Sequence, residues 1–76
     1  MEIAYILIVS ETGSEQHVIE NLLRINEIKD VSRVWGAYDV VVKVVRPTSD
    51  AIREIIKEKI RMIDGIKTTI SLMVSR

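Results

Sequence analysis

The chain has 76 residues, and its 11 basic and 11 acidic side chains give a formal net charge of zero. One small domain is expected at this length, and because such a chain buries only about 60% of its unfolded surface, we expect a partner to add to its stability. The balanced charge argues against a surface that grips nucleic-acid backbones, and with no cysteine and one histidine the chain excludes disulfides, thiolate metal sites and multi-histidine metal sites within one protomer.

The chain begins with an apolar segment that predicts a strand over residues 2–10. Positions 3–9 are all apolar, although a strand with one face in water would alternate apolar and polar side chains. Apolar residues then recur at helical spacing and predict a helix over 14–26. The apolar positions of this helix are Val18, Ile19, Leu22 and Leu23.

A hairpin is predicted next, with strands over 30–36 and 38–46. Gly36-Ala37 suits a two-residue type II′ turn between them. After Asp39 the second strand is again almost wholly apolar, with Lys43 as the single charge before Arg46 at its end. Two strands of this kind indicate a sheet whose two faces are both covered.

The last third of the chain predicts a helix and a strand. Pro47 and Asp50 mark the start of the helix, Gly65 follows its end, and residues 66–75 form strand four. The buried stripe of the helix is predicted at Ile52, Ile55, Ile56, Ile60 and Ile63. The order β-α-β-β-α-β predicts an α+β, ferredoxin-like fold, in which a four-stranded antiparallel sheet carries both helices on one face. We expect a second copy to cover the other face, sheet against sheet.

Two interpretations are open for the stretch Val34-Trp35-Gly36-Ala37-Tyr38-Asp39. It is either a tight turn in which Asp39 accepts hydrogen bonds from local amides, or a small-ligand site. In the second case the Asp39 carboxylate faces a ligand cation, and Trp35 and Tyr38 are apolar walls.

Thr69 and Ser71 form a second candidate, because residues two apart in a strand share a face. Their hydroxyls could receive a ligand's carboxylate or amino group, although threonine is also common in outer strands for its β-propensity. His17 is interpreted as a lone surface residue. No catalytic set, phosphate-binding glycine loop or metal-binding set can be named from the sequence, so we predict no catalytic residue and no cofactor.

Both stretches, at their spacing within β-α-β-β-α-β, resemble the RAM domain (regulation of amino-acid metabolism), the C-terminal half of Lrp/AsnC-type regulators. Gly36-x-Tyr38-Asp39 and the apolar strand after it fit the family's Gly-x-Tyr-Asp hairpin. The segment that begins at Gly65 is similar to the family's Gly-Val-x-x-Thr-x-Thr, with Ser71 in place of the second threonine. Since the chain starts at strand one, it resembles the stand-alone RAM proteins, a single domain over 1–76 without a helix-turn-helix.

The resemblance implies a non-catalytic protein whose sheet-to-sheet dimers assemble into larger rings. The effector, usually an amino acid, would lie between protomers. The site residues that carry over are Gly36, Tyr38, Asp39, Thr69 and Ser71. Implied partners are further copies and a full-length Lrp/AsnC regulator, and direct DNA binding does not carry over. No segment looks like a targeting signal or a membrane span, so we expect a cytoplasmic protein without a membrane partner. The abundance of isoleucine and valine with no cysteine suggests a thermophilic source.

Three other functions fit parts of the pattern. A small monooxygenase or isomerase of the dimeric ferredoxin-like type would need a polar cluster inside the barrel, where this chain is aliphatic. An RNA-binding sheet would need stacking aromatics on the central strands, and only Tyr5 qualifies. An oligomerisation module without a ligand is the third.

Overall fold

The computed structural model describes residues 1–75 and has the predicted order of elements. These are β1 (Glu2–Ser10), α1 (Glu15–Leu23), β2 (Ile28–Arg33), β3 (Val40–Arg46), α2 (Ser49–Ile55, continued by a π-helical turn over Ile56–Ile60) and β4 (Ile66–Met73). The strands form one antiparallel sheet in the order β2-β3-β1-β4. The predicted ferredoxin-like α+β fold is therefore confirmed, with β1 and β3 at the centre.

The core lies between one face of this sheet and both helices. Alternate residues of the two central strands point into it and are fully buried, and they are Ala4, Ile6, Ile8, Val40, Val42 and Val44. Helix residues pack against them in the same cluster, namely Val18, Leu22, Ile52, Ile55, Ile56 and Ile60. Four of the five isoleucines predicted for the buried stripe of the second helix are buried. The fifth, Ile63, is partly buried and packs against this cluster.

The other face of the sheet, called the open face here, carries no helix. On it Tyr5 lies opposite Lys43 and Leu72. In the next row Leu7 lies between Val41 and Ile70. Tyr5 is 39% exposed, Ile70 43% and Leu72 50%. This explains why β1 and β3 are almost wholly apolar in sequence. Half of their side chains face the core, and the other half form a second apolar layer that this protomer leaves in water.

The predicted two-residue turn is wrong, and residues 34–39 form a longer loop, called the hairpin loop here. Regular pairing ends at Arg33 and Val40, and a hydrogen bond from the Val34 amide to the Asp39 carbonyl, at 2.9 Å, closes the loop. The amide of Asp39 points the other way and donates to the carbonyl of Ile8 on β1, also at 2.9 Å. Gly36 nevertheless has the expected positive φ, of 118°.

The second helix is not α-helical to its end. Thr48 caps it, accepting a hydrogen bond from the Ala51 amide through its side chain, at 3.1 Å. After Ile55 the helix widens into a π turn, in which the Arg61 amide donates to the Ile56 carbonyl at 2.9 Å. Ile56 and Ile60 both remain in the core through this turn, as their spacing predicted, but the widening itself was not predicted.

We expect Gly65→Ala to destabilise the fold more than Gly13→Ala. Both glycines have positive φ, 96° and 88°, so each substitution should cost about 1–2 kcal/mol of unfolding free energy from the backbone alone. A Cβ at position 65 would also lie 2.8 Å from the Cβ of Ser14, whereas position 13 is open. Urea unfolding should show an additional loss of about 1 kcal/mol or more for Gly65→Ala. Equal losses in the two variants would contradict the close approach of the β4 start to α1.

Candidate functional site

Asp39 joins the hairpin loop to the end of β1. Its Oδ2 accepts hydrogen bonds from the backbone amide of Ser10 at 2.8 Å and from the Ser10 hydroxyl at 3.1 Å. Ser10 is the one polar residue among the buried residues described, at 7% exposure. The carboxylate therefore satisfies a buried donor on a distant strand, where the sequence had suggested amides of the same turn.

A cavity of about 520 Å³, called the hairpin cavity here, lies between the hairpin loop and the start of α1. Its lining residues are Glu15, Arg33, Val34, Trp35, Gly36 and Asp39. It therefore combines two carboxylates with one guanidinium. The sequence analysis missed Glu15 and Arg33, because only the packing of α1 beside the end of β2 brings these separate charges to one place.

The two aromatic residues do not form the walls predicted for this cavity. Trp35 contributes to the rim, but its side chain is fully exposed at the tip of the hairpin loop. Tyr38 is half-buried and is not among the residues that line the cavity. Gly36 does line it, and a Cβ at its position would meet open space, so the backbone of the loop is accessible there.

Thr69 and Ser71 share a face of β4, as their spacing predicted. They pair with Ile8 and Ile6, whose side chains point to the helices, so both hydroxyl residues lie on the helix side of the sheet. Helix α2 does not cover this edge completely. A groove of about 410 Å³, called the β4 groove here, is lined by Arg53, Ile56, Lys57, Arg61, Ser71 and Met73. Thr69 lines a neighbouring depression with Arg61 and Lys67.

One protomer does not bring the five predicted site residues into a single cavity. Gly36 and Asp39 line the hairpin cavity, whereas Ser71 lines the β4 groove. Val40 and Thr69 pair with Ile8 from opposite sides, which places them about 10 Å apart across two strand spacings. A small ligand that touches both sets needs residues from two copies or a rearranged protomer.

The described residues contain no group of three histidine, cysteine, aspartate or glutamate side chains that could hold a metal ion. None of the described helices is long and apolar enough to cross a membrane. The chemistry that the cavities offer is charge and hydrogen bonding from carboxylate, guanidinium, ammonium and hydroxyl groups, together with apolar walls.

The chain is similar to known regulators and to solved domains of its own size. The uncharacterized HTH-type transcriptional regulator PH0140 of Pyrococcus horikoshii is 31% identical over 67 residues, which are 88% of this chain and 42% of that protein. The chain thus spans less than half the length of this relative. The crystal structure of FFRP-DM1 is 37% identical with a TM-score of 0.92, and the match covers 99% of this chain and 100% of that one.

A more distant regulator shares the fold. The transcriptional regulator NMB0573 of Neisseria meningitidis, solved in complex with L-Met, is 12% identical with a TM-score of 0.87, over 99% of this chain and 50% of that one. Residues 3–76 also match the family model described as the Lrp/AsnC ligand binding domain. The chain therefore belongs to the Lrp/AsnC family of regulators and has the fold of its ligand-binding domain.

Proposed function

We propose that this chain is a sensing module that binds an amino acid between copies of itself and thereby changes its own assembly or that of a full-length Lrp/AsnC regulator. The observation that carries the proposal is the division of the predicted site between two cavities of one protomer. A ligand held by parts of two copies favours whichever assembly joins those parts, which links its binding to oligomer state.

The open face supports dimerisation as the first step of assembly. A contiguous apolar surface of this kind marks an interface in soluble proteins. Lys43 is the charge on its central strands, and in register it lies beside Asp30 on β2, an acid that can balance it. We propose that two sheets pack face to face through Tyr5, Leu7, Val41, Ile70 and Leu72.

The hairpin cavity suits a zwitterion. An amino acid carries a carboxylate for the Arg33 guanidinium and an ammonium group for the Glu15 and Asp39 carboxylates, all of which line this cavity. Asp39 uses Oδ2 for Ser10, and its Oδ1 has no hydrogen-bond partner among residues 1–75. We propose that Oδ1 accepts a bond from the ligand's ammonium group.

The remaining predicted residues take complementary roles in this proposal. The accessible backbone at Gly36 and the ring of Tyr38 border the ligand, and the hydroxyls of Thr69 and Ser71 come from another copy. The Neisseria regulator of the same fold was solved with L-Met, which makes amino acids the first class of ligand to test.

A non-catalytic role in the cytoplasm belongs to the same proposal. The family comprises transcriptional regulators, and such proteins act where the DNA lies. The alternative of a small ferredoxin-like enzyme gains no support from the central strands, because their side chains are largely aliphatic on both faces.

We expect Ile70→Asp to weaken the sheet-to-sheet dimer. A carboxylate in the middle of an apolar interface would be buried without a partner, so the dimer dissociation constant should rise by about 100-fold or more. Met62→Asp is the matched control, because Met62 is 74% exposed and lies beyond the π turn, away from the open face. Sedimentation equilibrium at micromolar concentration measures both. A monomeric parent protein, or an Ile70→Asp variant that dimerises normally, would exclude the sheet-to-sheet dimer.

We expect calorimetric titration with the twenty amino acids to identify a ligand that Asp39→Asn binds about 10- to 100-fold more weakly. The asparagine keeps an acceptor oxygen for Ser10 but loses the charge that holds the ammonium group. Asp50→Asn is the control, because this exposed carboxylate pairs only with Arg53 on the helix surface. If none of the amino acids binds, the sensing role is wrong. Unchanged affinity in Asp39→Asn would remove only Asp39 from the site.

A further inference from the structure

Trp35 is an unusual residue to leave in water. It is the single tryptophan of the chain, and its side chain is 101% exposed at the tip of the hairpin loop. Tryptophan side chains are large and mostly apolar, and at protein surfaces they are concentrated at the centres of interfaces. Full exposure at the tip of a loop therefore marks Trp35 as a candidate anchor for a partner.

The β4 groove has the properties that an indole ring requires. Ile56 and Met73 supply apolar walls, and Ser71 supplies a hydroxyl that can accept a hydrogen bond from the indole N–H. The groove also lies beside the π turn, and π turns inside helices are frequent at functional sites.

Three cations line the same groove, and they make it attractive to the face of an aromatic ring. Arg53, Lys57 and Arg61 are four residues apart, so they form a stripe of like charge along the second helix. Arg53 pairs with Asp50, whereas Lys57 and Arg61 have no ion-pair partner among residues 1–75. Cations within reach of a tryptophan ring are attracted by its quadrupole, most strongly when water is excluded.

We propose that Trp35 of one copy docks into the β4 groove of another copy. A protomer cannot fill its own groove, because the hairpin loop joins β2 and β3 on one side of the sheet and β4 is the edge strand on the other. Because the loop and the groove are different surfaces, two copies can dock reciprocally as a pair, or the contact can repeat head to tail into a ring or a filament. The hairpin loop carries Asp39 and no cation, so it also complements the charge of the groove.

Docking in this way has a consequence for the divided site. It brings the hairpin loop of one copy beside Ser71, and near Thr69, of the next copy. The two sets of predicted residues that one protomer keeps apart then meet at the contact. The docking itself does not depend on the proposed effector, because the exposed indole and the unpaired cations exist without a ligand.

The cavity near the end of β3 is a weaker candidate for a partner. The Lys59 ammonium donates to both carboxylate oxygens of Glu27, at 3.0 and 2.9 Å, and this pairing lowers the pKa of Glu27. These two charges already satisfy each other, whereas Lys57 and Arg61 in the β4 groove have no such partners in the part of the chain that the structure describes.

Trp35 reports on its own docking, because its fluorescence is the only tryptophan signal. We expect its emission to shift to shorter wavelength, and its quenching by acrylamide to fall, as protein concentration drives dimers into larger assemblies measured by sedimentation velocity. If the parent protein forms nothing larger than a dimer, or if the assembled protein keeps the emission of a solvated indole, the proposal is overturned.

Trp35→Ala should raise the protein concentration needed for assembly beyond the dimer by about 30-fold, which is typical of losing a central tryptophan anchor. Leu23→Ala is the matched control, because Leu23 is 66% exposed on α1, away from both surfaces. The sheet-to-sheet dimer should remain in both variants. Trp35→Ala that assembles like the parent protein would overturn the proposal.

The double substitution Lys57→Glu with Arg61→Glu tests the groove from the other side. It should weaken assembly and leave Trp35 solvated, whereas Lys29→Glu on β2 should do neither. If this variant alters amino-acid binding but not assembly, the groove holds a small anion and the docking is wrong. If assembly and the fluorescence shift persist while no amino acid binds, the docking stands and the proposed effector role fails.

Discussion

The structure depends on two central strands that are apolar on both faces. β1 and β3 pair along seven residues, and their apolar helix-side residues are fully buried by α1 and α2. On the other face, their apolar side chains form a layer with Ile70 and Leu72 of β4 that only Lys43 interrupts on the central strands, and no element among residues 1–75 covers it. Because a chain of this size gains little stability from one core, the second layer is a large share of what it has to bury. In the assembly that we propose, burial of this layer would stabilise the fold as well as link ligand binding to oligomer state.

The sequence was sufficient for the architecture because the signals involved are periodic or local. Unbroken apolar runs in two strands, helical spacing of the apolar residues between them and the turn residues Gly36, Pro47 and Gly65 predicted the order of elements and the two apolar faces of the sheet. The hairpin loop was misjudged because Asp39 bonds outside the hairpin, through its amide to Ile8 on β1. No pattern near Asp39 indicates that partner. The π turn was missed because the isoleucines of the second helix keep α-helical spacing, which carries no sign of the widening.

The candidate site also depends on long-range packing that local sequence patterns do not reveal. Motif resemblance selected Gly36, Tyr38, Asp39, Thr69 and Ser71, but only the sheet order shows that β1 separates the first three from the last two. Glu15 and Arg33 have no motif, and they become neighbours of Asp39 only through packing. The exposure of Trp35 was equally invisible, because an aromatic residue beside a turn is as compatible with a buried wall as with a free tip.

The bond between Asp39 and Ser10 also governs how the hairpin loop can move. The residue after Ser10, Glu11, donates its amide to the carbonyl of Gly65 at 2.7 Å, so the loop, the end of β1 and the start of β4 are joined in one hydrogen-bonded series. If Asp39 moved away, the buried amide of Ser10 would lose its hydrogen-bond acceptor, at a cost of about 1–3 kcal/mol. Any movement of the loop that breaks this bond therefore carries that cost, so the bond holds the loop close to the ends of β1 and β4.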